Sequence, residues 1–211
     1  MGEKNETVQL NIGAGATYLP GFHNVDLCEQ ADIRLDLNHD PLPFDNDSVD
    51  LVFTYHTLEH LDRYLFALGE IHRVLKHGAP LLVGVPYVTL TEYNLVNPYH
   101  RQHFNEFSFD FFDPSRLKGS AIEPNDILLS KAFHRFDYTE DFADEPPEHL
   151  EWARRHLFNV VRKIDFGVIA IKDPARTVEV DDASRDRLIE VFDECLANRL
   201  PYPVRETALN P

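Results

Sequence analysis

"LNIGAGATYLPGFHNVDL", Leu10–Leu27, is the stretch on which the reading of this chain turns. The apolar run Val8–Ile12 ends in Gly13-Ala14-Gly15, the way many nucleotide sites leave a parallel strand. A glycine there lets a ligand approach the main chain with no Cβ in the way. A dinucleotide fold would next require a third glycine, which falls at Tyr18, and a long helix whose first amides meet a pyrophosphate. Pro20-Gly21 leave little room for that helix. A second apolar run reaches Leu27 and contains Asp26, where a carboxylate can accept hydrogen bonds from both hydroxyls of a ribose. The stretch suits a ligand with a nucleoside and no pyrophosphate.

Working outward, "LDLNHDPLPFDNDS" is a Pro- and Asp-rich loop, in which Asp36 can accept from the exocyclic amine of an adenine while Leu37 packs on its ring. Leu42-Pro43-Phe44 reads as an apolar plug beneath it. Val49–Thr54 is a buried central strand. From Glu59 to Leu75, residues Leu61, Leu65, Leu68, Ile71, Val74 and Leu75 recur at helical spacing, and Gly78 stops the helix. Leu81–Val85 is another buried strand, closed by Pro86. Beyond it the pattern predicts a short helix near Phe107–Phe112 and strands over Ile127–Tyr138 and Ile164–Lys172. It also predicts a helix near Leu150–Val161 and a last amphipathic helix carrying Leu188, Val191, Phe192, Cys195 and Leu196. This alternation is that of a parallel α/β sheet covered on both faces.

Composition removes several classes of function. Twenty basic against 36 acidic residues give a formal charge of −16, which opposes a nucleic-acid backbone as partner. An apolar content of 43% in 211 residues supports one sizeable core. Cys28 and Cys195 form no Cys-x-x-Cys pair. "MGEKNETV" lacks the apolar core of a signal sequence and has Glu6 where myristoylation requires Ser or Thr, and no run reaches membrane-spanning length, so the expected location is cytoplasmic with no membrane partner. Neither a Gly-x-Ser-x-Gly elbow nor a Gly-Lys-Ser/Thr phosphate loop occurs. His56 and His60 are four apart, and His100 and His103 three apart, but no nearby pattern completes a metal site, so none is expected.

With these residues in hand, "LNIGAG", "PGFHNVDL", "DLNHDPLPFDNDSVDLVFTYHTLEHL" and "EIHRVLKHGAPLLVGVP" together resemble the class I S-adenosylmethionine-dependent methyltransferases. The likeness is to a compact, methyltransferase type 11-like branch, and it spans Leu10–Pro86. It implies a Rossmann-like, mainly parallel seven-stranded sheet with helices on both faces, from which the shortened first helix expected at Pro20-Gly21 is a departure. It implies one domain over residues 1–211, with 87–163 carrying acceptor-side elaborations. By position it sets Gly13, Ala14 and Gly15 against the aminoacyl part of S-adenosylmethionine, Asp26 on the ribose hydroxyls, and Asp36 and Leu37 at the adenine, with Leu27 also among the cofactor-binding residues. Asn11 departs from the acid found there in many class I enzymes; its amide can donate to the cofactor carboxylate or tie down the turn. Thr17 stands where a third glycine is usual.

The resemblance also sets Tyr55 and His56 beside the sulfonium, with Tyr18, Tyr55 and Tyr87 as aromatic faces for its charge. His56 and His103 are the candidate bases for an oxygen or nitrogen acceptor. Glu59 and His60 read as a helix cap. "NPYHRQHFNEFSFDFF" offers His100, Arg101 and His103, with Tyr87 before it, as a pocket for a small-molecule acceptor; the same segment can instead pack as core or form a homodimer interface. Two other readings stay open: a noncatalytic cofactor-binding or assembly module, and an NAD-dependent oxidoreductase.

Overall fold

Alternating apolar runs and turns produce, in chain order, β1 (Gln9–Ile12), β2 (Thr17–Tyr18), β3 (His23–Asp26), β4 (Ile33–Arg34), β5 (Leu51–Tyr55), α1 (Tyr64–Val74), β6 (Pro80–Pro86), β7 (Leu129–Tyr138), α2 (Pro147–His156), β8 (Val161–Ala170), α3 (Asp182–Ala197) and β9 (Leu200–Pro201). This computed structural model describes residues 7–116, 126–176 and 178–203; the charged N-terminal residues 1–6 lie outside the described residues. Seven strands form one sheet in the order β4-β3-β1-β5-β6-β8-β7. The pairings from β4 to β6 are parallel, and β8 runs antiparallel to both β6 and β7. Chain order reverses at β1, with β3 and β4 on one side and β5 and β6 on the other. In an open α/β sheet the crevice beyond the carboxyl ends of the strands at such a reversal is the ligand site.

Strand alternation assigns the two faces. Val52, Leu81 and Val83 point to the side covered by Ala67, Leu68, Ile71 and Val74 of α1. Leu51, Phe53 and Leu82 point to the other, where Phe192 and Cys195 of α3 cover them, and burial pushes the Cys195 thiol up to about 11. α3 starts where Asp181 accepts a hydrogen bond from the Ser184 amide at 2.8 Å. No helix among the described residues is long and apolar enough to cross a membrane.

Four elements differ from the sequence expectation. There is no shortened helix between β1 and β3: the chain makes the two-residue β2, which pairs antiparallel with β9. Pro20 and Gly21 deny this segment a helix, and the end of the described chain clasps it instead. Second, α1 begins at Tyr64, after a single 3-10 turn over Leu58–His60. The Glu59 carbonyl, which a continuous helix would give to Arg63, accepts the amides of Arg101 (2.7 Å) and Gln102 (3.1 Å), while the Arg63 amide donates to Asn38 Oδ1. Leu65, counted with the apolar stripe, is consequently 60% exposed. Third, α2 lies over Pro147–His156 instead of 150–161, because Pro147 suits a first helical turn and the buried Val161 opens β8. Fourth, the short helix near Phe107–Phe112 reduces to a 3-10 turn, Asp110–Phe112.

Burial holds His72 and His134 below the ordinary histidine range. Unfolded, each takes up a proton near pH 6.5; folded, each resists until lower pH, so the unfolded chain binds more protons in that window. Stability is therefore expected to fall as pH drops from about 7 toward about 5, and the urea midpoint measured across that range checks it.

Candidate active site

Two cavities meet at the carboxyl ends of β1 and β5. One, of about 280 Å³, is lined by Gly13, Gly15, Asp26, Leu27, Leu35, Asp36, Leu37, Asn38, His56, Thr57, His60 and Leu61. The other, of about 500 Å³, is lined by Tyr55, His56, Glu59, His60, Pro86, Leu90, Tyr93, Asn97, His100, Arg162 and Lys163. His56 and His60 form their common wall.

The first cavity is built by the glycine turn. Gly13 has φ +73° and a Cβ there would fall 1.9 Å from Thr57 Oγ1, so the strand end presses directly on the Thr57 side chain. The Gly13 and Ala14 amides donate to the Val25 carbonyl at 2.8 and 3.2 Å, lashing the turn to β3. Asp26, at the end of β3, accepts the Gly15 amide on Oδ2 (2.8 Å) and the Cys28 amide on Oδ1 (2.9 Å). A carboxylate accepts up to about four hydrogen bonds, so two amides orient this one without saturating it. Asp36 is fixed by the Asn38 amide at 2.9 Å and faces His39 at 3.0 Å, and the Asn38 bond together with His39 holds its carboxyl below the usual range.

His56 follows β5 with φ +54°, a left-handed backbone that side chains other than glycine seldom adopt. Such strain gathers at functional sites. Its amide donates to the Gly84 carbonyl at 2.8 Å, and its Nδ1 lies 3.2 Å from Glu59 Oε1. A carboxylate only accepts, so a neutral His56 donates through Nδ1 and keeps Nε2 as a proton acceptor. The Tyr55 ring stands edge-on to His56 with centroids 4.4 Å apart; burial first, and Asp165 second, push its phenol up from the ordinary range.

Several expected site residues lie elsewhere. Asn11 is buried beneath the turn and donates to Asn24 Oδ1 at 2.9 Å, so its amide ties strands together and does not line either cavity. Ala14 is buried, and neither cavity is lined by it. Tyr18 sits in β2 and packs on Tyr202 with centroids 5.3 Å apart, away from both cavities. Tyr87 is buried, with its hydroxyl donating to Glu106 at 2.7 Å and its ring against Phe136. Arg101 is exposed and pairs with Asp62 at 3.0 Å, and His103 is exposed outside the cavity lining. Of the aromatic segment, Phe104, Phe109 and Phe112 join the core, and only Asn97 and His100 line the larger cavity.

Glu59 is the residue that sequence reasoning placed wrongly. It is no solvated helix cap: only 1% exposed, it lines the larger cavity, and its Oε2 has no hydrogen-bond partner. Its proximity to His60 and His100 depends on the 100–102 segment folding back onto the 3-10 turn; the adjacency of Glu59 to His60 in sequence was the only local sign.

Residues 22–83 match the methyltransferase domain family. The match begins after the glycine turn, where this chain departs from the usual pattern. No curated protein matches the chain in sequence. Among solved structures it is similar to the YcgJ protein of Bacillus subtilis (16% identity, TM-score 0.53, covering 80% of this chain and 94% of that one). It is also similar to a SAM-dependent methyltransferase of Archaeoglobus fulgidus (15% identity, TM-score 0.54, covering 77% and 86%). In its sheet order and its reversal at β1 the chain has the Rossmann-like α/β fold of these structures, and within it residues 22–83 carry the match to the methyltransferase domain.

Proposed function

We propose that this single domain binds S-adenosylmethionine in the smaller cavity and transfers its methyl group to a small molecule held in the larger one. The observation that carries this reading is the shared wall: His56 and His60 face both spaces, so a donor in one and an acceptor in the other meet at the end of β5. When bound, S-adenosylmethionine supplies a methyl carbon already made electrophilic by its sulfonium. Asp26 accepts from the ribose hydroxyls, Asp36 and Leu37 bound the adenine, and Gly15 leaves room for the amino-acid tail. Residues of the 87–163 segment, with Leu90, Tyr93, Asn97 and His100 on the cavity wall, shape the acceptor side. His56, its Nδ1 turned to Glu59, receives through Nε2 the proton that an oxygen or nitrogen acceptor gives up. Alignment of nucleophile, methyl carbon and sulfur contributes more than proton transfer, since good positioning lowers a barrier by roughly 7–11 kcal/mol.

Asp26→Ala is expected to weaken adenosylhomocysteine binding by about 1–3 kcal/mol, the worth of charge-assisted hydrogen bonds, as read by isothermal titration calorimetry. Unchanged affinity would refute the ribose assignment. A nicotinamide dinucleotide is disfavoured because β2 stands where its phosphate-binding helix would start. Release of adenosylhomocysteine in the presence of an acceptor separates the enzyme from a noncatalytic binding module.

A further inference from the structure

We propose that Glu59, His60 and His100 bind a divalent first-row transition ion, zinc foremost, in the wall of the larger cavity. One ligand atom from each of the three lies within 4.8 Å of the other two. Tetrahedral zinc with bonds near 2.0–2.1 Å sets its ligands about 3.4 Å apart, so a modest inward movement completes the set. His60 is exposed on a 3-10 turn and can make that movement, and its ring already stands 4.6 Å from that of His100.

A second, independent observation is the state of Glu59. Its carboxylate is withdrawn from solvent, with Oε1 facing His56 and Oε2 facing no donor. A buried carboxylate oxygen without a partner is costly, and a cation removes the cost. A third is the tautomer of His100. Asn94, itself buried, donates its amide protons to the carbonyls of Tyr87 and Val88 at 3.3 Å each, which leaves Oδ1 as the acceptor facing His100 Nδ1 at 3.1 Å. His100 therefore donates through Nδ1 and carries its lone pair on Nε2. This is the arrangement by which metal-ligating histidines are oriented. Two imidazoles and one carboxylate suit zinc, iron or manganese and not magnesium, which prefers an all-oxygen shell.

Three protein ligands leave positions open toward the larger cavity, as in catalytic and not structural sites. Resting on the methyl-transfer reading above, those positions select an acceptor that presents an oxygen donor. Coordination to the ion makes that oxygen easier to deprotonate; its proton passes to His56, and its electron pair forms the bond to methyl carbon as the carbon–sulfur bond breaks, leaving that pair on sulfur.

The test uses the full chain, stripped with chelator and titrated with zinc chloride by calorimetry, with cobalt chloride and visible absorption as a second readout. The expected result is one ion per chain with a tetrahedral or five-coordinate cobalt spectrum. His60→Ala, at an exposed position that leaves the fold intact, and Glu59→Gln are expected to lose the ion, and Asn94→Ala to weaken it by about 10–100-fold. His149→Ala with His156→Ala, which removes the exposed pair beside Trp152, is expected to leave uptake unchanged. No uptake overturns the proposal, and so does uptake that survives His60→Ala and Glu59→Gln, which is an adventitious ion only. A chain that binds adenosylhomocysteine but no zinc refutes the ion site alone; one that binds zinc but no adenosylhomocysteine refutes the cofactor reading alone.

Discussion

Gly13→Ala is expected to destabilise the chain by about 2–5 kcal/mol, with adenosylhomocysteine affinity falling alongside. Two costs add. A backbone at φ +73° costs a residue with a Cβ about 1–2 kcal/mol. The new methyl would also lie 1.9, 2.3 and 2.6 Å from Thr57 Oγ1, Cγ2 and Cβ, and overpacking of this kind adds about 1–3 kcal/mol. Thr57 has little freedom to retreat, because its hydroxyl is held within 3.4 Å of the Ile12 and Gly13 carbonyls. Relief comes by shifting the turn, which carries Gly15 and its bond to Asp26 away from the cleft. Gly15→Ala provides the contrast: φ is +62° but nothing lies within 4 Å of its Cβ, so only the conformational cost of about 1–2 kcal/mol applies. Urea unfolding and calorimetric titration of both variants test the order. Thr57→Ala combined with Gly13→Ala should recover part of the loss, a non-additivity that two remote sites would not show. Equal effects at the two glycines would contradict the close approach.

The second large effect is expected at Phe192. Phe192→Ala should cost about 3–5 kcal/mol and lower the melting temperature by roughly 6–20 °C. The ring is fully buried, meets Phe53 of β5 edge-on with centroids 5.5 Å apart, and is covered by the Arg135 guanidinium at 5.2 Å. Its removal opens a cavity between α3 and the sheet under the strand that ends in Tyr55, immediately before His56. Leu65→Ala, on the exposed side of α1, serves as the control and should stay within about 0.5 kcal/mol. A loss at Phe192 no larger than that would mean that α3 is not a structural cover of the sheet.

The parallel half of the sheet was legible because its determinants are local. Val8–Ile12, the run ending at Asp26 and Leu81–Val85 are short apolar stretches bounded by turn residues, and such runs declare themselves without tertiary help. Asp26, Asp36 and Leu37 could be placed on the cleft because strand ends follow from strand positions. What failed depended on distant partners. Tyr18 was set beside the cofactor, but its surroundings come from β9 and Tyr202. Asn11 was offered to the ligand, but its partner, Asn24, fills the space beneath the turn. His100 and His103 were offered together as contacts to the acceptor. Residues 100–103 belong to neither helix nor strand, and only His100 lines the cavity while His103 meets solvent. Glu59 was read as a cap since its burial depends on a loop forty residues later closing over it.

The clasp between Thr17–Tyr18 and Leu200–Pro201 joins the beginning of the sheet to the far end of the described chain. Thr17–Tyr18 are synthesised well before Leu200–Pro201, so the two strands cannot pair until the sheet residues between them have been made. Closing so long a loop is entropically unfavourable until the intervening sheet has formed. The β2–β9 pair is therefore expected to form after the parallel half of the sheet, whose strands meet across much shorter stretches of chain.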